Sequence, residues 1–312
     1  MAALEKTRTV FQLDNIGSWF ENIAVRANGR LLATRIDLPQ LWEIDPASGD
    51  GAAVVTWPAP ITSVTGITEL TPDIFAVAVG QYDGLAKATI PGTYEIHTVD
   101  FGSPSGPYTP RLVTAIPEGG LINGITKADG AGTVVLAADS EYGVLYRVDV
   151  AAKSYDRLMA DELMRAPEGA MLSLGINGVK VRGGYIYFSN SMRNTLYRVP
   201  VESESASFRP TGPIEPVASG FMQDDFCLDE DGTAYVTTHP MNTVVKVAAG
   251  SSEGEVIAGN LESLELAGST ACAFGRGSND KRTLYVSCAG ALAAPVKGEQ
   301  VEPAKIVAID LS

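Results

Sequence analysis

The chain is poor in the residues that many catalytic and binding chemistries require. Two histidines, His97 and His239, stand far apart in 312 residues, which excludes a histidine-rich metal centre. Lysine and arginine total 23 against 37 aspartates and glutamates, for a net charge of −14. Binding to a phosphate backbone needs basic patches, and adsorption to anionic lipid needs clustered cations. Nucleic-acid and membrane partners are therefore not expected. No stretch of the sequence approaches the roughly 18 apolar residues of a membrane-spanning helix. The opening MAALEKTRTVFQLDNIG lacks the apolar core of a secretory signal. The three cysteines, Cys227, Cys272 and Cys288, are an odd number without such a signal, so reduced thiols and a cytoplasmic location are expected. The string G-x-S-x-G is absent, leaving serine-nucleophile chemistry without support. The glycines of GQYDGLAKATIPGTY (80–94) match no Walker or Rossmann pattern and read as a hairpin.

What is abundant is turn and strand material. Glycine (32) and proline (18) are spread along a chain that is 45% hydrophobic. That distribution suits many short strands. One pattern recurs six times, starting near Glu21, Gly66, Asn123, Asn177, Asp224 and Thr270, at spacings of 45 to 57 residues. Each copy holds an apolar strand, a Gly or Asp turn, a strand rich in Val, Tyr and Ala, and a strand such as LYRVDV or LYRVPV that alternates as half-buried strands do. Asn28-Gly29, Asp129-Gly130, Gly183-Gly184 and Asp231-Gly232 mark tight hairpins. A repeat near fifty residues is too long for a solenoid and fits a four-stranded propeller blade. The expectation is an all-β, six-bladed propeller with a central channel, residues 1–312 forming one domain. The segment TRTVFQL is expected to complete the last blade, because an open ring would expose an edge. A closed ring needs no partner, so a monomer is expected. MADELMRAPEGAM (159–171) carries the one weak helix signal.

The segments GINGVKV, QDDFCLDEDGTAYVT and STACAFGRGSNDKRTLYVS, with FENIAV near the start, resemble the senescence-marker-protein/gluconolactonase family of six-bladed propellers along essentially the whole chain. The resemblance implies a divalent cation at one channel end, held by residues that become Glu21, Asn177 and Asp224. It also makes Asn123 a polar residue of the substrate cavity. Two carboxylates and an amide oxygen suit calcium or another hard cation, which would polarise a lactone carbonyl. The sequence departs from the family at informative places. The substrate-binding Arg of the family is Leu121 here, which removes a forked donor for sugar oxygens and implies a more apolar ligand. The family's Gly-Pro becomes Asn22-Ile23, and the Gly after the cation-binding Asp becomes Asp225. The set INGIT, GINGV, QDDF and STACAFGR is also similar to a divergent branch, common in fungi, that includes hetero-Diels–Alderases of tropolonic sesquiterpene pathways.

Two enzymatic readings follow, alongside that of a non-catalytic scaffold. In the first, a cyclase or hetero-Diels–Alderase acts on an apolar, oxygen-bearing small molecule and requires no cofactor. Glu21, Asn123, Asn177 and Asp224 would form its catalytic floor, with Leu121, Thr270, Tyr82 and Tyr142 as substrate contacts. In the second, Glu21, Asn177 and Asp224 hold calcium or another divalent ion for lactone or ester hydrolysis. Asn and Asp at strand starts also make plain turn hydrogen bonds. Asp225, its side chain directed oppositely to Asp224, reads as a between-blade acceptor. His97 reads as an outer-strand surface residue, and His239, in TTHPMN, as a turn residue within reach of a channel end. Cys227 and Cys272 read as small buried hydrophobes. FGSPSGPYTP (101–110) is either a lid over the mouth or a surface loop, with Tyr108 a further candidate contact.

Overall fold

The computed structural model describes residues 4–83, 88–103, 106–202 and 208–311. Six four-stranded antiparallel sheets form the blades of a propeller. In blade 3 the chain steps outward through Ile122–Lys127, Val134–Asp139, Val144–Asp149 and Ser154–Ala160, each strand bonded to the next. The first strands of the blades are Phe20–Val25, Ser63–Thr71, Ile122–Lys127, Ile176–Arg182, Phe226–Leu228 and Ser269–Phe274. Each of these touches the first strands of both neighbouring blades, and the sixth touches the first. That pattern closes a ring around a central channel, as the repeat predicts.

Closure is by interlocked ends of the chain. Lys6–Gln12 pairs antiparallel with Lys305–Asp310 and so supplies the outer strand of blade 6, as TRTVFQL implies. The core is a series of wedges between blades. Ile96, Ile122, Val135 and Tyr146 pack between blades 2 and 3, and Leu136, Val179, Ile186 and Phe188 between blades 3 and 4. Side-chain hydroxyls tie the blades near the axis. Thr34 Oγ1 donates to the Thr65 carbonyl at 2.6 Å, and Thr65 Oγ1 to that of Ile122 at 2.6 Å. Thr237 Oγ1 donates to the Thr270 carbonyl and Thr270 Oγ1 to that of Phe20, both at 2.8 Å.

Most of the first strands begin with a bulge. Phe20 faces Arg35 and Ile23 faces Ala33, so Glu21 and Asn22 together oppose the single residue Thr34. The same slip sets Asn123-Gly124 and Asn177-Gly178 against one partner each. A bulge of this kind re-aims side chains at a rim. Its first residue is freed to point along the channel, and its second lies against the next blade. A Cβ on Gly124 would sit 2.4 Å from the Asn177 carbonyl oxygen, and one on Gly66 would sit 2.3 Å from that of Asn123. The close approach of backbones therefore requires glycine at these positions.

Three expectations are corrected by the fold. His97 lies in Glu95–Asp100, the third strand of blade 2, and is buried. Its Nδ1 accepts the Trp57 indole N–H at 3.3 Å and its Nε2 contacts Glu95 at 2.6 Å; the chain invests it in packing, not in surface. The described part of 101–110 follows Asp100, which pairs with Ile74, and so lies at the channel end opposite Glu21. It is no lid over that mouth; Tyr108 instead packs against Phe101, the rings tilted and their centroids 4.4 Å apart. In blade 3 the left-handed turn residue is Gly132, not Gly130. The helix signal of 159–171 yields one 3-10 turn, Glu162–Met164, capped by the Asp161 carboxylate. Among the described residues, no helix is long and apolar enough to cross a membrane.

Candidate active site at the channel mouth

The bulges bring residues from four blades together where the first strands begin. Asn177 Nδ2 donates to Asp224 Oδ1 at 2.8 Å and to Ser191 Oγ at 3.1 Å. Glu21 Oε2 accepts the Trp19 indole N–H at 2.6 Å, and its carboxylate also takes a hydrogen bond from Asn123. Glu21, Asn123 and Asn177 are buried, and the Asp224 side chain is only 13% exposed. Distant residues expected to share one spot do so, and they share it as a buried hydrogen-bonding floor.

The floor also contains a residue that the sequence underweights. His239, in the turn between the second and third strands of blade 5, is buried, with Nδ1 3.5 Å from Asp224 Oδ2. Trp19 packs on its ring with centroids 5.1 Å apart. Its Nε2 is buried without a hydrogen-bond partner among the described residues. The signal available in the sequence was placement alone: TTHPMN occupies the turn that returns to the mouth.

Burial governs the protonation of this group. Desolvation, and then the nearby charge of Asp224, push the Glu21 carboxyl up to about 8. Desolvation and the charge of Asp225 hold Asp224 well above the usual carboxylate range, opposed by the Asn177 hydrogen bond. Burial lowers His239 to about 4, against the pull of Glu21. Removal from water therefore favours the neutral forms of Glu21, Asp224 and His239 over their charged ones. Tyr82 belongs to the same neighbourhood: burial and then Glu21 raise its phenol. It begins the short hairpin of Tyr82–Asp83 with Ala88–Thr89, on the mouth side of blade 2. The centre of the 80–94 hairpin, 84–87, lies outside the described residues.

Other candidates sit elsewhere. Thr270 is fully buried, its hydroxyl bonded to the Phe20 carbonyl and to Ser287. It holds blade 6 to blade 1 and has no surface left for a ligand. A threonine side chain at the bulge is too short to pass the backbone, whereas Glu and Asn reach the channel. Tyr142 is 41% exposed and lines a separate hollow of about 520 Å³ with Glu118, Glu141 and Arg165; it does not join the Glu21 group. Leu121 is half-buried against the wedge between blades 2 and 3, at the start of the Asn123 strand. Asp225 turns away from Asp224 as expected. It accepts from Asn22 Nδ2 at 2.9 Å and Lys180 Nζ at 2.7 Å, linking blades 1, 4 and 5 beneath the floor.

Exposed apolar side chains concentrate on the loops at this end of the propeller. Among the described residues, eleven large hydrophobics are exposed, and all but Leu4, Leu112 and Val256 lie on loops of this end. Ile16, Leu38, Ile90, Leu172 and Met241 are examples, each from a different blade junction or turn. Two carboxylates and an amide suit a hard cation in kind, but here their polar atoms are engaged with neighbouring side chains. The amide nitrogen of Asn177, not its oxygen, faces Asp224, and an indole N–H occupies Glu21 Oε2.

No protein-family model matches the chain. It is 24% identical over 299 residues to a protein of Phoma sp named as a candidate hetero-Diels-Alderase, covering 87% of this chain and 83% of that one. A second protein so named, from Sarocladium schorii, is 25% identical over 307 residues, covering 87% and 75%. Among solved structures, a luciferin-regenerating enzyme superposes with a TM-score of 0.67 at 15% identity, covering 93% of this chain and 91% of that one. Regucalcin, a calcium-binding protein of Agrobacterium tumefaciens, superposes with a TM-score of 0.63 at 16% identity, covering 100% and 98%. A gluconolactonase of Xanthomonas campestris gives 0.62 at 12% identity, covering 98% and 89%. The resemblance read from the sequence is borne out on both counts: the divergent branch in sequence, and the gluconolactonase-type propeller in fold.

Proposed function

We propose that the chain is an enzyme of specialised metabolism that cyclises an apolar, oxygen-bearing small molecule at the channel mouth by hetero-Diels–Alder addition. The observation that carries this reading is a buried cluster of carboxyls and amides at the end of the propeller whose loops expose apolar side chains. The names of its sequence relatives support it. In such an addition an α,β-unsaturated carbonyl and an alkene join through one new C–C and one new C–O bond, with no leaving group and no redox change. The protein needs only to hold two apolar partners in a reactive pose and to hydrogen-bond the carbonyl oxygen as its charge develops.

In this reading the rim and Leu121 hold hydrocarbon, and Tyr82 closes one side. The carboxyls of Glu21 and Asp224, held in place by the amides of Asn123 and Asn177, donate to the carbonyl oxygen. His239 supplies a further neutral donor through its unpartnered Nε2. Where the diene must first be unmasked, the Asp224 proton goes to a departing hydroxyl, the C–O bond breaks and water leaves, and the substrate's own enol or phenol proton passes to the Asp224 carboxylate, which restores the acid and leaves the neutral enone. No step is routed through a metal.

Turnover tests this directly. An enone and a strained cyclic alkene incubated with the protein are expected to give one stereoisomer of the dihydropyran, faster than in buffer. Glu21→Met and Asp224→Leu, which remove the donor at similar bulk, should each lower that rate, by on the order of a hundredfold. A racemic product at the buffer rate overturns the proposal. Lactone hydrolysis that a chelator abolishes would establish the divalent-metal hydrolase instead.

A further inference from the structure

The channel end opposite Glu21 holds a second chemically distinct feature, a pair of thiols. Cys227 lies on the first strand of blade 5 and Cys272 on the first strand of blade 6. Their sulfurs are 3.4 Å apart, although the residues are 45 positions apart in sequence. Both are free. Cys272 Sγ also lies 3.2 Å from the Tyr235 carbonyl oxygen, which fixes its rotamer toward its partner. Both line a cavity of about 300 Å³ together with Lys180, Phe274 and Arg276. The third thiol, Cys288, is fully buried on the second strand of blade 6 and lines none of this cavity.

We infer that Cys227 and Cys272 form a dithiol site that takes a small-molecule disulfide and closes into a bond between blades 5 and 6. A disulfide needs sulfurs at about 2.05 Å, so each must move by well under an ångström, within two strands already in contact. The reaction balances as thiol–disulfide exchange. One cysteine loses its proton and attacks a sulfur of oxidised glutathione, releasing one glutathione thiolate and leaving a mixed disulfide. The second cysteine, deprotonated in turn, attacks the protein-side sulfur and releases the second glutathione. Two protein thiols are oxidised and one small disulfide is reduced to two thiols.

The neighbourhood shapes the rate. The ammonium of Lys180 stabilises the Cys227 thiolate, but burial outweighs it and holds the thiol well above its ordinary value. Exchange should therefore be slow at neutral pH and accelerate as pH rises, because the thiolate is the nucleophile. The product ties two neighbouring first strands across the wedge between the last blades.

Oxidised glutathione, followed by denaturing alkylation and mass spectrometry, tests the site in the whole chain. The expected result is loss of two alkylatable thiols with no retained glutathione, and a linked peptide joining Cys227 to Cys272. The Cys288→Ala variant should behave alike, and the thermal midpoint should rise and return on reduction. Three alkylatable thiols after prolonged exposure at pH 9, a stable glutathione adduct on the wild type, or a link through Cys288 would each overturn the inference.

Discussion

Replacing Glu21 by glutamine should stabilise the protein, and the gain should depend on pH. Glu21 is buried, and its carboxyl ionises near 8 in the fold against 4.5 when exposed to water. An acid whose folded value is raised contributes stability that is complete below the unfolded value and is lost as pH climbs through the folded one. At pH 7 the unfolded chain gains from ionising Glu21 while the folded chain keeps the proton. At about 1.4 kcal/mol for each tenfold in proton affinity, holding Glu21 neutral at pH 7 costs about 3 kcal/mol. Glutamine keeps the oxygen that accepts the Trp19 indole N–H but never ionises. The variant should therefore exceed the wild type by up to about 3 kcal/mol at pH 7, somewhat more at pH 8, and converge with it near pH 4.5. Urea unfolding at several pH values, with the slope m held constant, reads this difference. A difference that does not change between pH 5 and pH 8, or a variant less stable at pH 8, would refute the electrostatic account of the floor.

Other consequences follow from the same contacts. Asp225→Ala should destabilise by about 3–5 kcal/mol in urea unfolding, because it strands the Lys180 ammonium, 25% exposed, and the buried Asn22 amide. Thr270→Val, similar in shape but lacking the hydroxyl that spans blades 6 and 1, should cost about 1–3 kcal/mol, read as a lowered thermal midpoint. Deleting residues 1–12 removes the outer strand of blade 6 and bares the edge of Lys305–Asp310; light scattering should show aggregation that the full chain lacks.

The architecture was legible because its signal is redundant. Six copies of one pattern fix the blade count even where single turns mislead, as Asp129-Gly130 does. The opening strand was legible for a topological reason: a ring must close, and TRTVFQL lies ahead of the first copy. Convergence of Glu21, Asn123, Asn177 and Asp224 followed from rotational equivalence. What rotation does not convey is reach. Thr270 holds the equivalent place but ends at the backbone, and its hydroxyl serves the wall. His239 and Trp19 come from connections between strands, where spacing carries no repeat signal, so their stacking is visible only in three dimensions. Tyr142 misled for the same reason: a turn at the rim turns outward as readily as inward. The paired thiols were read correctly as buried residues, but their contact across the wedge depends on register that composition does not encode.

The central claim is that the floor beneath the apolar rim receives an oxygen-bearing ligand. The chain's two histidines make this directly observable, because one lies in the floor and the other is packed within blade 2. Imidazole NMR spectra recorded during titration with 2-cyclohexenone, an apolar ring bearing one carbonyl, should show the His239 signal move while that of His97 stays fixed, and cyclohexene should leave both nearly unchanged. Movement of His97 alone, or an equal His239 response to the hydrocarbon and the ketone, would contradict the account.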